Sequence, residues 1–166
     1  MQKASFLQDK RRNVVLFITA LLILTADLLT KTWVRSYPEG YIIFETGSFR
    51  LTNVHNTGAA FGLFQGHLFA LTIVAIVGVV VLLIYAFFAY RRFPFLDTKP
   101  NRVALGLMLG GTVGNLIDRL NPNLNGVTDF ISIGIWPAFN IADSAVTIGV
   151  IVFAYSLLRR VPAEKH

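Results

Sequence analysis

The chain has 166 residues, 54% hydrophobic and only 14% charged, with a mean hydropathy of +0.60, which excludes an ordinary soluble domain. Its formal charge of +6 (15 Lys+Arg against 9 Asp+Glu) flanks apolar runs instead of gathering on a polar face, so no nucleic acid partner is expected and membrane orientation explains the cations. There is no cysteine, which excludes disulfides, thiolate metal sites and a cysteine nucleophile.

Four apolar runs, at 14–34, 68–90, 103–120 and 138–158, are each long enough to cross a hydrocarbon layer about 30 Å thick at about 1.5 Å per residue. They predict an all-α membrane protein, one domain over 1–166 with four transmembrane helices. The first run follows Lys10-Arg11-Arg12, but Asp27 and Lys31 interrupt the place where a leader would be cleaved, so it reads as a retained helix. Lys3, Lys10, Arg11 and Arg12 precede the first helix. Arg91, Arg92, Lys99 and Arg102 separate the second from the third, and Arg159, Arg160 and Lys165 follow the fourth. The positive-inside rule then places both termini and the 91–102 loop in the cytoplasm, with loops 35–67 and 121–137 outside.

In the long outer loop, Tyr41–Phe44 and Ser48–Thr52 flank the turn residues Thr46-Gly47 and predict a small extracytoplasmic β-hairpin, a cradle at the membrane surface. The uncharged second run suits a lipid-facing helix. The third carries Gly106, Gly110 and Gly114 at four-residue spacing with Gly111 beside them, a stripe that lets helices approach closely. Near Asn115 the same stripe leaves room for a bound chain. In the 121–137 loop, Phe130, Ile131, Ile133, Ile135 and Trp136 predict a segment lying in the membrane interface.

Depth is the informative quantity. Counting from the cytoplasmic edge, Asp27 lies roughly 20 Å and Lys31 about 26 Å up the first helix, Asn115 and Arg119 at about 20 and 26 Å on the third, and Asp143 and Asn140 at about 24 and 28 Å on the fourth. Three helices thus put their polar groups in one layer near the outer face. Each group follows a helical face: Asp27 and Lys31 at i,i+4, Asn115, Asp118 and Arg119 at i,i+3,i+4, and Asn140, Asp143 and Ser144 likewise. Polar groups within a membrane are costly unless paired, so this layer is a functional-site candidate, with Asp27–Lys31 equally readable as a paired strut and Asp118 as a salt-bridge partner.

Asp129 in the outer loop and Asp143 at the start of the fourth helix have only 13 residues between them. If the intervening segment folds back, two carboxylates meet, and a close pair shares one proton. One acid then activates water while the other donates to a scissile carbonyl, which is hydrolysis without a cofactor or metal. No HExxH motif is present, His55, His67 and His166 are dispersed, and no histidine lies at a depth where it would serve Ser144 as a base. Paired acids also serve ion-coupled carriers, although the inner two-thirds of these helices is almost wholly apolar. A non-catalytic scaffold built on the glycine stripe is a third reading, and it leaves the polar layer unexplained.

Five segments in order carry a resemblance. Asp27-Leu28-Leu29-Thr30-Lys31, Asn56-Thr57-Gly58-Ala59-Ala60-Phe61, the run Gly110 to Arg119 (GGTVGNLIDR), Val127-Thr128-Asp129-Phe130 and Phe139-Asn140-Ile141-Ala142-Asp143-Ser144 are similar to the motifs of the lipoprotein signal peptidase (signal peptidase II) family. Leu28 stands where many members have Gln, and Thr128 where Val is usual. The resemblance implies an aspartic endopeptidase of the bacterial cytoplasmic membrane, its site near the outer face. It would cut diacylglyceryl-modified prolipoproteins just before the lipidated cysteine and be open to globomycin-type cyclic peptides. It implies Asp129 and Asp143 as the catalytic pair, Asn56, Gly111, Asn115, Arg119 and Asn140 as positioning groups for substrate and pair, and Asp27 and Lys31 as support. Phe61, Phe139 and Trp136 would offer apolar contact to acyl chains or the signal helix, membrane lipid being the alternative partner.

Overall fold

The computed structural model describes residues 2–58, 66–89 and 96–160, with side chains described from Asn13 to Arg159 within those stretches. Phe61, Tyr90, Arg91, Arg92 and Lys165, and the side chains of Lys3, Lys10, Arg11, Arg12 and Arg160, lie outside the described residues. The apolar runs form helices α1 (Gln2–Val34), α2 (Leu68–Ile84, continued by a π-helical turn Tyr85–Ala89), α3 (Lys99–Leu120) and α4 (Ile141–Arg160). Four spans of membrane length result: Asn13–Val34, Leu68–Phe88, Lys99–Leu120 and Ile141–Arg159.

Helix α3 begins four residues before the expected 103, because Thr98 caps it: its hydroxyl accepts from the Asn101 N–H at 3.4 Å, and Pro100 suits the first turn. Arg102, expected as a flanking cation, is instead only 2% exposed. Its Nε donates to Asp97 at 2.7 Å and its Nη1 to Asn13 and to the Ala86 carbonyl, both at 2.9 Å. The π-helical turn presents that carbonyl, so one guanidinium joins α1, α2 and α3 at the bundle end away from the sheet.

The glycine stripe works on two sides of α3. A Cβ at Gly106 would lie 2.6 Å from the Leu16 carbonyl oxygen, and one at Gly110 2.5 Å from that of Ala20, so the backbone of α1 rests on that side. On the other, Gly111 meets the Ala142 carbonyl, and Gly149 of α4 would crowd the Ala104 carbonyl at 2.7 Å. Lipid supplies no hydrophobic drive between helices, so close backbone contact and dispersion hold them. Leu16, Ala20, Ala86, Leu105 and Leu109 form the buried apolar cluster. Helix α2 is peripheral and lipid-facing as expected: Phe69 is 80% exposed and Val74 67%.

The expected hairpin forms as β1 (Ile42–Thr46) and β2 (Phe49–Asn56), turned at Gly47 with φ +54°. β2 runs four residues beyond the expected end because it gains a second partner, β3 (Val127–Ile133), giving an antiparallel sheet in the order β1-β2-β3. Phe130, Ile131, Ile133, Ile135 and Trp136 are expected to lie in the interface, and the structure divides them. The first half of β3 is instead buried, with Phe130 4% exposed, and only the tip at Ile133, Ile135 and Trp136 stays open. The register places Val54 opposite Asp129, His55 opposite Thr128 and Asn56 opposite Val127. After Gly134 (φ +56°) the chain returns, and Phe139 exchanges backbone hydrogen bonds with Ile131 at 2.8 and 2.9 Å. The expected fold-back therefore exists, and it delivers Asn140 to the start of α4.

Candidate active site

Asn140 is the N-cap of α4. Its Oδ1 accepts from the Asp143 N–H at 2.9 Å, while Asp143 Oδ2 accepts from the Asn140 N–H at 3.2 Å, a reciprocal capping pair that fixes Asp143 in the first turn. The free amide edge of Asn140 turns to β3: Nδ2 donates to Asp129 Oδ1 at 2.7 Å and reaches Asn115 Oδ1 at 3.0 Å. One residue thus bridges both carboxylates, its side chain on Asp129 and its backbone N–H on Asp143. Asn115 Nδ2 donates to Asp143 Oδ1 at 2.7 Å, and Asn56 Nδ2 to Asp129 Oδ2 at 2.9 Å. Asn56 is oriented by its own loop, since its Oδ1 accepts from the Gly58 N–H at 2.9 Å.

Beneath this lies a buried charged group. Lys31 Nζ donates to Asn115 Oδ1 at 2.8 Å and is ion-paired with Asp27 Oδ2 at 2.7 Å and Asp118 Oδ2 at 3.3 Å. The bond to Asn115 forces that amide to turn its NH₂ toward Asp143. Asp27 Oδ1 accepts from the Ala142 N–H at 3.0 Å, satisfying an otherwise unpaired donor of the first turn of α4. Arg35 pairs with Asp118, and two acids and two bases leave the group neutral. Asp27 is thus paired with Lys31, and Asp118 with Lys31 and Arg35.

Both carboxylates border one cavity of about 640 Å³, walled also by Asn56, Asn115, Arg119, Trp136, Phe139 and apolar residues of α4. Arg119 Nε is shielded there without a hydrogen-bond partner among the described residues. Asp129 is 2% exposed, and burial, reinforced by the nearby Asp143, lifts its carboxyl from 3.8 to about 7; Asn56, Lys31 and Asn140 oppose the rise. A carboxyl that retains its proton near neutrality beside a second carboxylate has the makings of an acid–base pair. Among the described residues no group of His, Cys, Asp and Glu is placed to hold a metal ion.

Residues 19–159 match the family described as signal peptidase (SPase) II. The chain belongs to the signal peptidase II family. A lipoprotein signal peptidase of Dehalococcoides mccartyi is 48% identical over 141 residues, spanning 84% of this chain and 86% of its own. One from Moorella thermoacetica is 42% identical (85% and 91% covered), and one from Shouchella clausii 41% (90% and 97%). A bacterial membrane enzyme solved by the in meso method at 2.3 Å superposes with a TM-score of 0.79 at 28% identity, covering 91% of this chain and 92% of that one. The protein is thus a multi-pass membrane protease of the signal peptidase II family.

Of the positions singled out from the family motifs, Asn56, Asn115, Arg119, Asp129 and Asp143 line the cavity, and Asn140 bridges the pair from behind. Gly111 does not reach the cavity; it packs against Ala142 of α4. Two contributors were not anticipated. Thr128, fully buried, is held at each polar group: its N–H donates to Asp118 at 3.0 Å, its hydroxyl accepts from Arg35 Nε at 2.8 Å, and its carbonyl accepts from Asn140 at 3.3 Å. The departure from Val at this signal peptidase II position was the visible signal, since only a hydroxyl accepts from Arg35. Gly126, at φ +116°, lies where a Cβ would come 2.8 Å from the Asn56 carbonyl carbon, so glycine lets β3 start against Asn56.

Proposed function

We propose that this protein is an aspartic endopeptidase that removes the signal peptide from diacylglyceryl-modified bacterial prolipoproteins, cutting just before the lipidated cysteine. The observation that carries the reading is the Asn140 bridge, which holds Asp129 and Asp143 together in the wall of one largely apolar cavity. The pair starts with one shared proton, held on Asp129, whose carboxyl is raised to about 7. Asp143 takes a proton from water as its oxygen adds to the scissile carbonyl carbon, and Asp129 gives its proton to the carbonyl oxygen. The C–N bond then breaks as Asp143 passes its proton to the leaving amine. One hydroxyl of the intermediate returns a proton to Asp129, which restores the starting pair.

Asn56 and Asn140 hold Asp129, Asn115 and Asn140 hold Asp143, and Lys31 with Asp27 fixes Asn115. Arg119, beside both acids, is a donor for substrate carbonyls, and Gly111 acts through helix packing. The apolar walls, Trp136 and Phe139 among them, suit acyl chains and the end of a signal helix, and a globomycin-type cyclic peptide would compete for the same space. The cation distribution favours the bacterial cytoplasmic membrane with this end of the bundle outward. The test is cleavage of a purified diacylated prolipoprotein by the wild type and by the Asp129→Asn and Asp143→Asn variants. Each substitution should lower kcat by at least about 100-fold. Turnover by either within tenfold of wild type refutes the pair.

A further inference from the structure

A second cavity, of about 280 Å³, adjoins the first at Asp129. Asn56, Asp129, Pro137 and Ala138 border both spaces, so they form the wall between them. Beyond that wall the larger space runs along α3 and α4, whereas the smaller is completed by Val54, His55 and Thr57 of the sheet side. A peptide bond cut at Asp129 has two ends that must leave in different directions. Under the peptidase reading the upstream end is an apolar signal helix and the lipid is apolar too, and both match the larger space. The segment after the lipidated residue is bound for water, and it matches neither helix face.

We propose that the smaller cavity is the subsite for the second and third residues of the mature product, and that it selects polar side chains there. The inference rests on the peptidase reading. His55 carries the polar preference: its Nδ1 lies 3.5 Å from Glu39 Oε2, but its Nε2 is shielded from solvent with no hydrogen-bond partner among the described residues. A buried ring nitrogen without a partner is unfavourable, and a polar side chain or peptide group entering beside it relieves that cost. Asn56, Thr57 and Asp129 add polar groups to the same lining. An apolar residue at these positions would bury His55 further with nothing to bond.

The test uses the full-length protein in detergent and diacylated prolipoproteins carrying Ser, Asn, Leu or Trp at the second and third mature positions. Wild type should cut the Ser and Asn substrates with kcat/KM roughly two- to tenfold above Leu and Trp, the worth of about one buried hydrogen bond. His55→Leu should bring the Ser-to-Leu ratio close to one while still cutting the Leu substrate. Glu39→Gln, which removes the ion pair but keeps the ring, should preserve the wild-type ratio. A wild-type ratio of one, equal losses on all substrates in His55→Leu, or the same change in Glu39→Gln overturns the subsite. If His55→Leu does not fold, a photoreactive side chain at the second mature position, incubated with Asp143→Asn protein, decides: adducts within 54–57 support the subsite, and adducts on α3 or α4 overturn it. A wild type that cuts none of the substrates fails the peptidase reading itself, whereas one that cuts all at one rate fails only the subsite.

Discussion

Replacing Asp129 by asparagine probes the electrostatics of the carboxylate pair without any substrate. In the unfolded chain this carboxyl loses its proton near 3.8, and in the folded protein near 7, chiefly because it is buried and next because Asp143 is close. Between those values the folded form binds more protons than the unfolded, so stability falls as pH rises from about 4 to about 7 and then levels. At about 1.4 kcal/mol per pH unit the fall amounts to about 4 kcal/mol. Asp129→Asn lacks this loss, but its amide offers one acceptor to the two donors Asn56 and Asn140, a deficit of about 1 kcal/mol. The variant should therefore match wild type at about pH 4.5, be less stable below it, and be more stable by about 3 kcal/mol at pH 8. For a chain of this size that is a crossing of the two melting curves by about 6–12 °C. Thermal unfolding in detergent micelles across that range measures it, and parallel curves for the two proteins would refute the argument.

Lys31→Met removes the cation of Asp27 and the donor that orients Asn115, so it should destabilise by about 3–5 kcal/mol, and a Tm within 2 °C of wild type would contradict the paired-strut reading. Thr128→Val keeps the shape but not the acceptor for Arg35; about 1 kcal/mol of stability and several-fold in kcat should be lost, with Thr128→Ser restoring both. Gly126→Ala forces a Cβ onto the Asn56 backbone at a positive φ and should cost about 2 kcal/mol or more and most of the cleavage, whereas Gly134→Ala, with open space around it, should cost about 1 kcal/mol and leave cleavage near wild type.

Much of this arrangement could be read from residue order. Helix periodicity and depth counting placed Asp27, Lys31, Asn115, Asn140 and Asp143 in one layer, and the structure joins them by hydrogen bonds, because a helix converts sequence distance into height with little freedom. What sequence could not supply was pairing across long separations. β3 finds β2 some seventy residues away, as the 73-residue gap between Asn56 and Asp129 illustrates, and no local pattern in Val127–Ile133 names its partner. The same holds for Arg102. Its position beside a loop reads as a snorkelling cation, whereas Asp97, Asn13 and the Ala86 carbonyl together allow its burial.

Along α3, main chain touches main chain at Gly106, Gly110 and Gly111, with no layer of side chains between to slide or repack. The three helices that carry Asp27, Lys31, Asn115 and Asp143 consequently move as one body, and the mutual placement of those groups is settled once, when the chain folds. No fraction of a substrate's affinity has to go into assembling them. The remaining acid comes to that frame on one strand of the three-stranded sheet, tied to it through Thr128 and Asn140.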